Sequence, residues 1–156
     1  MIKINKKIEY ALMALKYMSG REETEPTSAR EICDKFKTPF DTTAKVLQLM
    51  NNQGLLKSTK GIKGGYTLAV SLAHVTFSQL SQIVEGKSKT SSFCQSSKGR
   101  CDLFDSCNII TPMDLLSKKV NEYLAVLTLE ELLINEHANN LMSLTTSETS
   151  PETEVL

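Results

Sequence analysis

The sequence lacks several features that define other classes of protein. No apolar run in its 156 residues is long enough to cross a membrane, which argues against a membrane-spanning protein or a membrane partner. Residues 1–18 contain neither a continuous apolar segment nor a small-residue cleavage site, so we predict no secretory signal and a cytoplasmic location. The two histidines, His74 and His137, are distant in sequence, and no catalytic constellation of histidines or paired carboxylates is recognisable. We therefore predict that the protein is not an enzyme.

The formal net charge is zero, but the charges are unevenly distributed along the chain. Residues 1–70 carry twelve Lys and Arg against seven Asp and Glu, a balance of +5. Residues 71–156 carry six against eleven, a balance of −5. A basic first half indicates an anionic partner such as nucleic acid. On charge alone, a solvated helical surface explains the pattern equally well.

Three of the four cysteines lie in one short segment, FCQSSKGRCDLFDSC, as Cys94, Cys101 and Cys107. The segment is rich in Ser, Gly, Lys and Asp, which is typical of a loop. Thiolates are soft ligands that favour zinc, copper(I) and iron–sulfur clusters, whereas a disulfide or idle thiols are disfavoured alternatives in a cytosolic protein. We predict a metal or cluster site with its fourth position filled from elsewhere. Zinc is the nearest competitor, although the spacing lacks a tight CxxC pair.

Residues in the first half predict three helices. Apolar spacing predicts an amphipathic helix over residues 5–19. Ser28 with Glu31 has the pattern of a capping box at the start of a second helix. Asp41 is a candidate cap for a third helix that runs to about Asn52. The intervening Lys-Thr-Pro breaks the second helix, because the residue before a proline disfavours helix.

A hairpin follows the three helices. Two strand-like segments, 55–59 and 65–69, flank a glycine-bearing turn, and together with the preceding helices they predict a winged helix-turn-helix. The third helix is then the one that enters the major groove of DNA, and the hairpin is the wing. Hydroxyl, amide and ammonium groups contact phosphates and base edges. The candidate DNA-binding residues are Thr42, Thr43, Lys45, Gln48, Lys57, Lys60, Lys63, Gly64 and Tyr66.

The second half predicts three more helices around the cysteine segment. Thr76 with Gln79 predicts the start of a short helix, and Thr111-Pro112 predicts the start of a long one. Thr128 begins a last short helix. The long helix carries apolar residues on one stripe, which favours self-association; these are Leu116, Val120, Tyr123, Leu124 and Leu127.

The two halves together resemble the iron–sulfur-cluster-dependent winged-helix regulators typified by IscR and NsrR. The resemblance spans about residues 1–136 and rests on KIEYALMAL, NNQGLLKSTKGIKGGYTLA, the three clustered cysteines and TLEEL. It implies a homodimer in which the long helix, about 112–127, crosses its twin. It also implies an iron–sulfur cluster, of the two-iron or four-iron type, held by Cys94, Cys101 and Cys107.

The fourth ligand departs from the pattern of the family. Some members place a histidine three residues after the third cysteine, where this chain has Ile110. Other members take a carboxylate from the first helix across the dimer, and the matching residue is Glu9. Asp102, Asp105 and Asn108 are local rivals. Cys33 lies apart from the segment and is read as a core or idle thiol.

These patterns predict a mainly α protein with a small β-hairpin wing, composed of a winged helix-turn-helix domain and a long dimerisation helix. The predicted divisions are 1–86 for the DNA-binding domain, 87–110 for the cluster-binding loop, 111–137 for the dimerisation and terminal helices, and 138–156 for a disordered tail. We expect a dimeric transcription regulator, and a repressor in particular. It would bind palindromic double-stranded DNA and sense nitric oxide, oxygen, redox state or cluster supply. The alternatives are a zinc- or thiol-dependent regulator and a protein-binding adaptor.

Overall fold

The computed structural model of the protein describes residues 4–86, 102 and 104–135. Its helices and strands are α1 (Lys6–Ser19), α2 (Ala29–Phe36), α3 (Phe40–Asn52), β1 (Leu56–Thr59), β2 (Gly65–Leu68), α4 (Phe77–Glu85), α5 (Ile110–Val126) and α6 (Leu129–Leu133). Single turns of 3-10 helix occur at Leu72–His74 and Phe104–Ser106. The two strands form one antiparallel hairpin. The predicted fold class, mainly helical with a small hairpin wing, is confirmed.

The core forms where the apolar stripes of α1, α3 and α4 meet. The fully buried side chains include Leu15 on α1, Leu47 on α3 and Leu80 on α4. Each stripe repeats every three or four residues, so each helix turns one face toward the others. Burial of this kind is the main stabilising term, at about 1.5–3 kcal/mol for each large apolar side chain. Helix α2 and the wing pack against these three helices.

Two predicted helix starts are wrong by one or two residues. Helix α3 begins at Phe40, because the Pro39 carbonyl already accepts a bond of 3.0 Å from the Thr43 N–H. Asp41 therefore lies inside the first turn and does not cap the helix. Helix α5 begins at Ile110 after an uncapped Ile109, so Thr111 is not the cap either. In both places the backbone makes its first helical bond earlier than the side-chain pattern indicates.

The other predicted caps have the expected donors. The Thr76 and Gln79 side chains form a complete capping box, and the Thr128 hydroxyl accepts the Glu131 N–H at 3.1 Å. The Ser28 hydroxyl accepts the Glu31 N–H at 3.1 Å. The Glu31 carboxylate, however, accepts from Tyr17 and Arg21. The capping box predicted at Ser28 is thus half formed, because its acidic member is used to join α1 to α2.

The wing is anchored to the helices by a third short segment. Strands β1 and β2 pair from Leu56–Leu68 to Thr59–Gly65, and Thr27 exchanges two backbone bonds of 2.9 Å with Tyr66. Gly65 permits this contact, since a Cβ at that position would lie 2.6 Å from the Thr27 carbonyl. The base of the wing is therefore fixed to the residue that precedes α2.

The segment after α5 returns to the core of the first half. The Phe77 N–H donates to the Leu127 carbonyl at 2.9 Å, and the Leu129 N–H donates to the Val75 carbonyl at 2.8 Å. Leu127 and Leu129 are both buried. Residues on either side of the cysteine segment thus share one core. This shared core fixes the C-terminal end of α5 against α4.

Several predictions fall outside the residues that the structure describes. These are the ligands Cys94 and Cys101 and the tail at 138–156. Across residues 4–86 and 104–135, no helix combines the length and apolar character needed to cross a lipid bilayer.

Candidate DNA-binding surface and metal-ligand segment

Helix α3 presents one continuous polar stripe to solvent. Its exposed side chains at helical spacing are Asp41, Lys45, Gln48 and Asn52, which we call the recognition stripe. The opposite face is buried through Val46, Leu47 and Met50. Because the buried face is fixed in the core, the stripe is held outward in a defined orientation. Lys45 and Gln48 are therefore exposed, as their assignment requires, while their contact with DNA stays a prediction.

The expectation that Thr43 reads DNA was wrong. Its side chain is 1% exposed, and its hydroxyl donates to the Thr38 hydroxyl at 2.9 Å. Thr43 lies on the stripe of spacing i, i+3, i+4, i+7 that also contains the three buried apolar residues of α3. That spacing was the available signal. Thr42 is half-buried at the edge of the exposed face, and its DNA contact stays a prediction.

Asp41 is a surface residue that the sequence analysis assigned to another role. It does not cap the helix, and its exposed carboxylate lies at the leading end of the recognition stripe. An exposed carboxylate can accept a hydrogen bond from the amino group of cytosine. The neighbouring Phe40 is 49% exposed, and the Arg30 guanidinium lies 5.8 Å from the centre of its ring. The leading end of α3 thus offers an acid, an aromatic ring and a cation.

The wing carries the three predicted lysines at its edge and tip. Lys57, Lys60 and Lys63 are all exposed, and the sequence contains no carboxylate between Asp41 and Glu85. A hairpin that carries lysines and no carboxylate of its own attracts the phosphate backbone of nucleic acid. The exposed face of α3 leads directly into this basic hairpin, because β1 follows the helix after a short turn.

Gly64 and Tyr66 have structural contacts in the wing. The Gly64 N–H closes the tip by donating to the Gly61 carbonyl at 3.0 Å, and a Cβ on Gly64 would lie 2.3 Å from the Thr59 carbonyl oxygen. The half-buried Tyr66 packs against the core and pairs with Thr27. Their role in DNA binding stays a prediction.

A polar cluster joins α1 to α2. The Tyr17 hydroxyl donates to the Glu31 carboxylate at 2.7 Å and accepts from the Arg21 guanidinium at 2.7 Å, while Arg21 also pairs with Glu31. Partial burial raises the pKa of Glu31, but the Tyr17 hydrogen bond and the Arg21 charge outweigh it, so the net pKa is lowered. The Lys35 ammonium lies 4.3 Å from the centre of the Tyr17 ring. This cluster fixes the first helix of the helix-turn-helix against α1.

Glu9 lies on α1 and is half-buried. Its carboxylate is 2.6 Å from the Lys6 ammonium, and the hydrogen bond to Glu9 raises the pKa of Lys6. To bind a metal, the Glu9 carboxylate would have to give up its ion pair with Lys6. Losing a pair in contact with water costs little free energy. The donor type is therefore compatible with ligation, and the ligation itself stays a prediction.

Cys107 is the cysteine of the predicted ligand set that the structure describes. It is half-buried, carries a free thiol and lies just before Ile110, the first residue of α5. Asp105 and Asn108 beside it are exposed. Among the described residues no three His, Cys, Asp or Glu side chains form a group that could hold a metal ion. Three cysteine thiolates suit a soft metal centre, whereas a carboxylate is a hard oxygen ligand.

Helix α5 separates the predicted interface residues into two groups. Leu116 and Tyr123 are 48% and 61% exposed, and Val120 is half-buried. Leu124 packs against the core of the chain itself. An interface role for the Leu127 side chain was wrong, because this residue follows the end of α5 and is buried in the same core. The exposed apolar face instead includes Ile109 and Val126, which the sequence analysis missed.

A helix pair with an outward polar stripe, followed by a basic glycine-tipped hairpin, defines a winged helix-turn-helix protein of the DNA-binding type. The Rrf2 family, described as an iron-dependent transcriptional regulator, matches residues 4–135. The chain belongs to this family. It is accordingly a transcriptional regulator and not an enzyme.

Individual relatives agree with this placement. The chain is 24% identical over 135 residues to the HTH-type transcriptional regulator IscR of Klebsiella pneumoniae, covering 86% of this chain and 82% of that protein. Its fold is similar to CymR (YrzC), the global cysteine regulator of B. subtilis, with a TM-score of 0.65, 22% identity and coverage of 85% and 97%. T. potens IscR has a TM-score of 0.59 at 19% identity, with coverage of 95% and 94%.

Proposed function

We propose that this regulator binds palindromic double-stranded DNA as a homodimer and that an iron–sulfur cluster controls its affinity, most simply as a repressor. The observation that carries the DNA-binding part is the recognition stripe lying next to a wing with three lysines and no acid. The stripe offers donors and acceptors for base edges, and the wing offers cations for phosphates. Two copies related by a twofold axis would present the two stripes to half-sites about 34 Å apart.

The exposed face of α5 supports the dimer. Ile109, Leu116 and Tyr123 recur every seven residues, and Val120 lies four residues after Leu116. This is the spacing of the apolar seam in a two-helix coiled coil. Only Ser117 of α5 is buried in the protomer. A second copy of α5 would cover the seam and remove its apolar side chains from water.

Cys94, Cys101 and Cys107 would hold the cluster, with Glu9 of a partner, Asp102, Asp105 or Asn108 as the fourth ligand. The cluster supplies a centre that reacts with nitric oxide or oxygen, or that reports redox state or cluster supply. Cys107 is linked directly to the seam through Ile109 and the start of α5. Ordering of the ligand segment would thereby bias the position of α5, and with it the separation of the two recognition stripes. A tenfold change in DNA affinity requires about 1.4 kcal/mol of such coupling.

The experiment measures DNA affinity of anaerobically reconstituted and cluster-free protein on a selected palindromic site at one salt concentration. We expect brown protein that holds iron and sulfide, and an affinity that differs at least about tenfold between the two forms. Replacement of Cys94, Cys101 or Cys107 by Ala should remove the cluster, whereas Cys33→Ala should retain it. Colourless protein containing zinc would instead establish the zinc-dependent alternative, and equal affinities would show that the cluster does not control binding.

A thiol-dependent regulator is the second candidate, and one observation favours it. The Thr38 hydroxyl donates to the Cys33 Sγ at 3.6 Å, and the same hydroxyl accepts from Thr43 in α3. Cys33 is half-buried, so an oxygen added to its sulfur would disturb a hydrogen-bonded chain behind the recognition stripe. A solved structure of S. aureus CymR is of an oxidized form. Peroxide should then weaken DNA binding of the cluster-free parent but not of Cys33→Ser.

A further inference from the structure

The tip of the wing carries an isoleucine, Ile62, whose side chain is fully exposed to solvent. Ile62 has a relative exposure of 107%, and Val126, at 70%, is the next most exposed large apolar residue within residues 4–86 and 104–135. Val126 is the last residue of α5, beside the seam that a second copy would cover. Ile62 belongs to no such apolar surface, because its immediate neighbours are Gly61 and Lys63.

The backbone holds this side chain in place. Gly61 has φ of +118°, a conformation that side-chain-bearing residues rarely adopt. The Gly64 N–H closes the turn onto the Gly61 carbonyl at 3.0 Å, and Gly64 lies too close to the Thr59 carbonyl to accept a Cβ. Ile62 is therefore displayed at the outer end of a closed turn, and not on a long open loop.

The chemistry around Ile62 selects its partner. Lys60 and Lys63 precede and follow it in the sequence of the wing tip, and both are exposed. An apolar group between two cations suits a surface that is anionic at its edges and apolar at its centre. The minor groove of DNA offers such a surface where a base step opens, with phosphates along both edges, sugars on its walls and apolar base faces at the unstacked step. The groove is about 6 Å wide, too narrow for a helix, but a single side chain projecting from a hairpin tip can enter it.

We propose that Ile62 is an apolar wedge that enters the minor groove and partly unstacks a flexible base step beside each half-site. Isoleucine is among the side chains that proteins insert between base steps. Pyrimidine–purine steps unstack most easily, so the wedge would read deformability without a hydrogen bond. This inference rests on the proposed DNA-binding function and adds a specificity-determining residue to it.

The test compares Ile62→Ser with Lys63→Ala on a selected site, using Ile62→Val as the matched control. We expect Ile62→Ser to weaken binding about five- to tenfold, because an apolar contact is lost, while the log–log salt slope stays unchanged. Lys63→Ala should flatten that slope by roughly one unit, because one phosphate contact releases its counterion. Ile62→Val should bind within about fourfold of the parent, since it removes only one methylene.

A second readout follows the unstacking directly. With 2-aminopurine placed at the flanking step, parent protein should raise its fluorescence and Ile62→Ser should not. Parent-like affinity and fluorescence in Ile62→Ser would overturn the wedge while leaving the proposed DNA binding intact. A parent protein that binds no selected DNA would overturn both. An effect of Ile62→Ser on sedimentation of the DNA-free protein would instead place the tip in a protein contact and overturn the wedge.

Discussion

Helices α3 and α5 are both long, but they obtain their stability in different ways. Helix α3 buries four residues, Thr43, Val46, Leu47 and Met50, in the core of its own chain. Helix α5 is longer, yet Ser117 is its one buried residue, and Leu116 and Tyr123 face solvent. The first helix is oriented by its own protomer, whereas the second has an apolar face that its protomer leaves uncovered. A helix oriented by its own core is thus combined with a helix whose apolar face its own chain leaves uncovered.

The largest loss of stability is expected from a change in the core beneath α3. Leu47→Ala should lower the free energy of unfolding by about 2–5 kcal/mol, since it leaves a cavity at a fully buried site. Leu116→Ala, the matched change on α5, should lower the unfolding free energy of the dilute monomer by less than about 1 kcal/mol. Urea unfolding followed by circular dichroism measures both. Similar losses for the two variants would contradict the distinction between the helices.

The second effect concerns assembly. Leu116→Glu should weaken the dimer about a hundredfold, because a carboxylate would be buried in the seam without a partner. Sedimentation velocity over a range of concentrations measures this, and DNA affinity should fall with it. Leu132→Glu serves as the control, since Leu132 is also an exposed leucine, 37% exposed, but lies on α6 away from the seam. A monomeric parent protein would remove the basis of the comparison.

Two polar residues of α3 should have different roles, Gln48 in DNA discrimination and Thr43 in stability. Gln48→Ala should reduce discrimination between operator and altered sites by about 1–3 kcal/mol without changing stability, since an exposed amide reads base edges. Thr43→Ala should instead lower stability by about 1 kcal/mol, because the Thr38 hydroxyl loses its partner. Competition binding and thermal melts distinguish the two. Loss of discrimination in Thr43→Ala with unchanged stability would return Thr43 to the reading surface.

The smallest effect tests the contact that joins α1 to α2. The folded-state pKa of Glu31 is lowered from its ordinary value of 4.5, so its contribution to stability is complete above that value. This contribution is lost as pH falls through the folded-state pKa. Glu31→Gln should therefore lower stability at neutral pH by less than about 1 kcal/mol, since water screens this half-exposed pair. Parent and variant should converge in acid, and a difference that grows below pH 4.5 would contradict the assignment.

Helical spacing predicted the existence and order of the elements, but not every side-chain role. The strands at 55–59 and 65–69 lie within one residue of those observed. Thr43 was misassigned because its hydroxyl was read as a DNA contact, although its position on the buried stripe of α3 was visible in the sequence. Leu127 was misassigned for a different reason. It follows the last residue of α5, so the helical stripe no longer determines which way its side chain turns.

The sequence by itself determined the helices, the hairpin and the positive charge of the wing, because periodicity, glycines and lysines act over a few neighbouring residues. Only the tertiary structure decided that Glu31 joins α1 to α2 through Tyr17, that Thr27 fixes the base of the wing through Tyr66, and that Leu127 belongs to the core. These outcomes depend on contacts between segments far apart in the chain. Local patterns contain no information about the partner that each segment finds, so packing alone settles them.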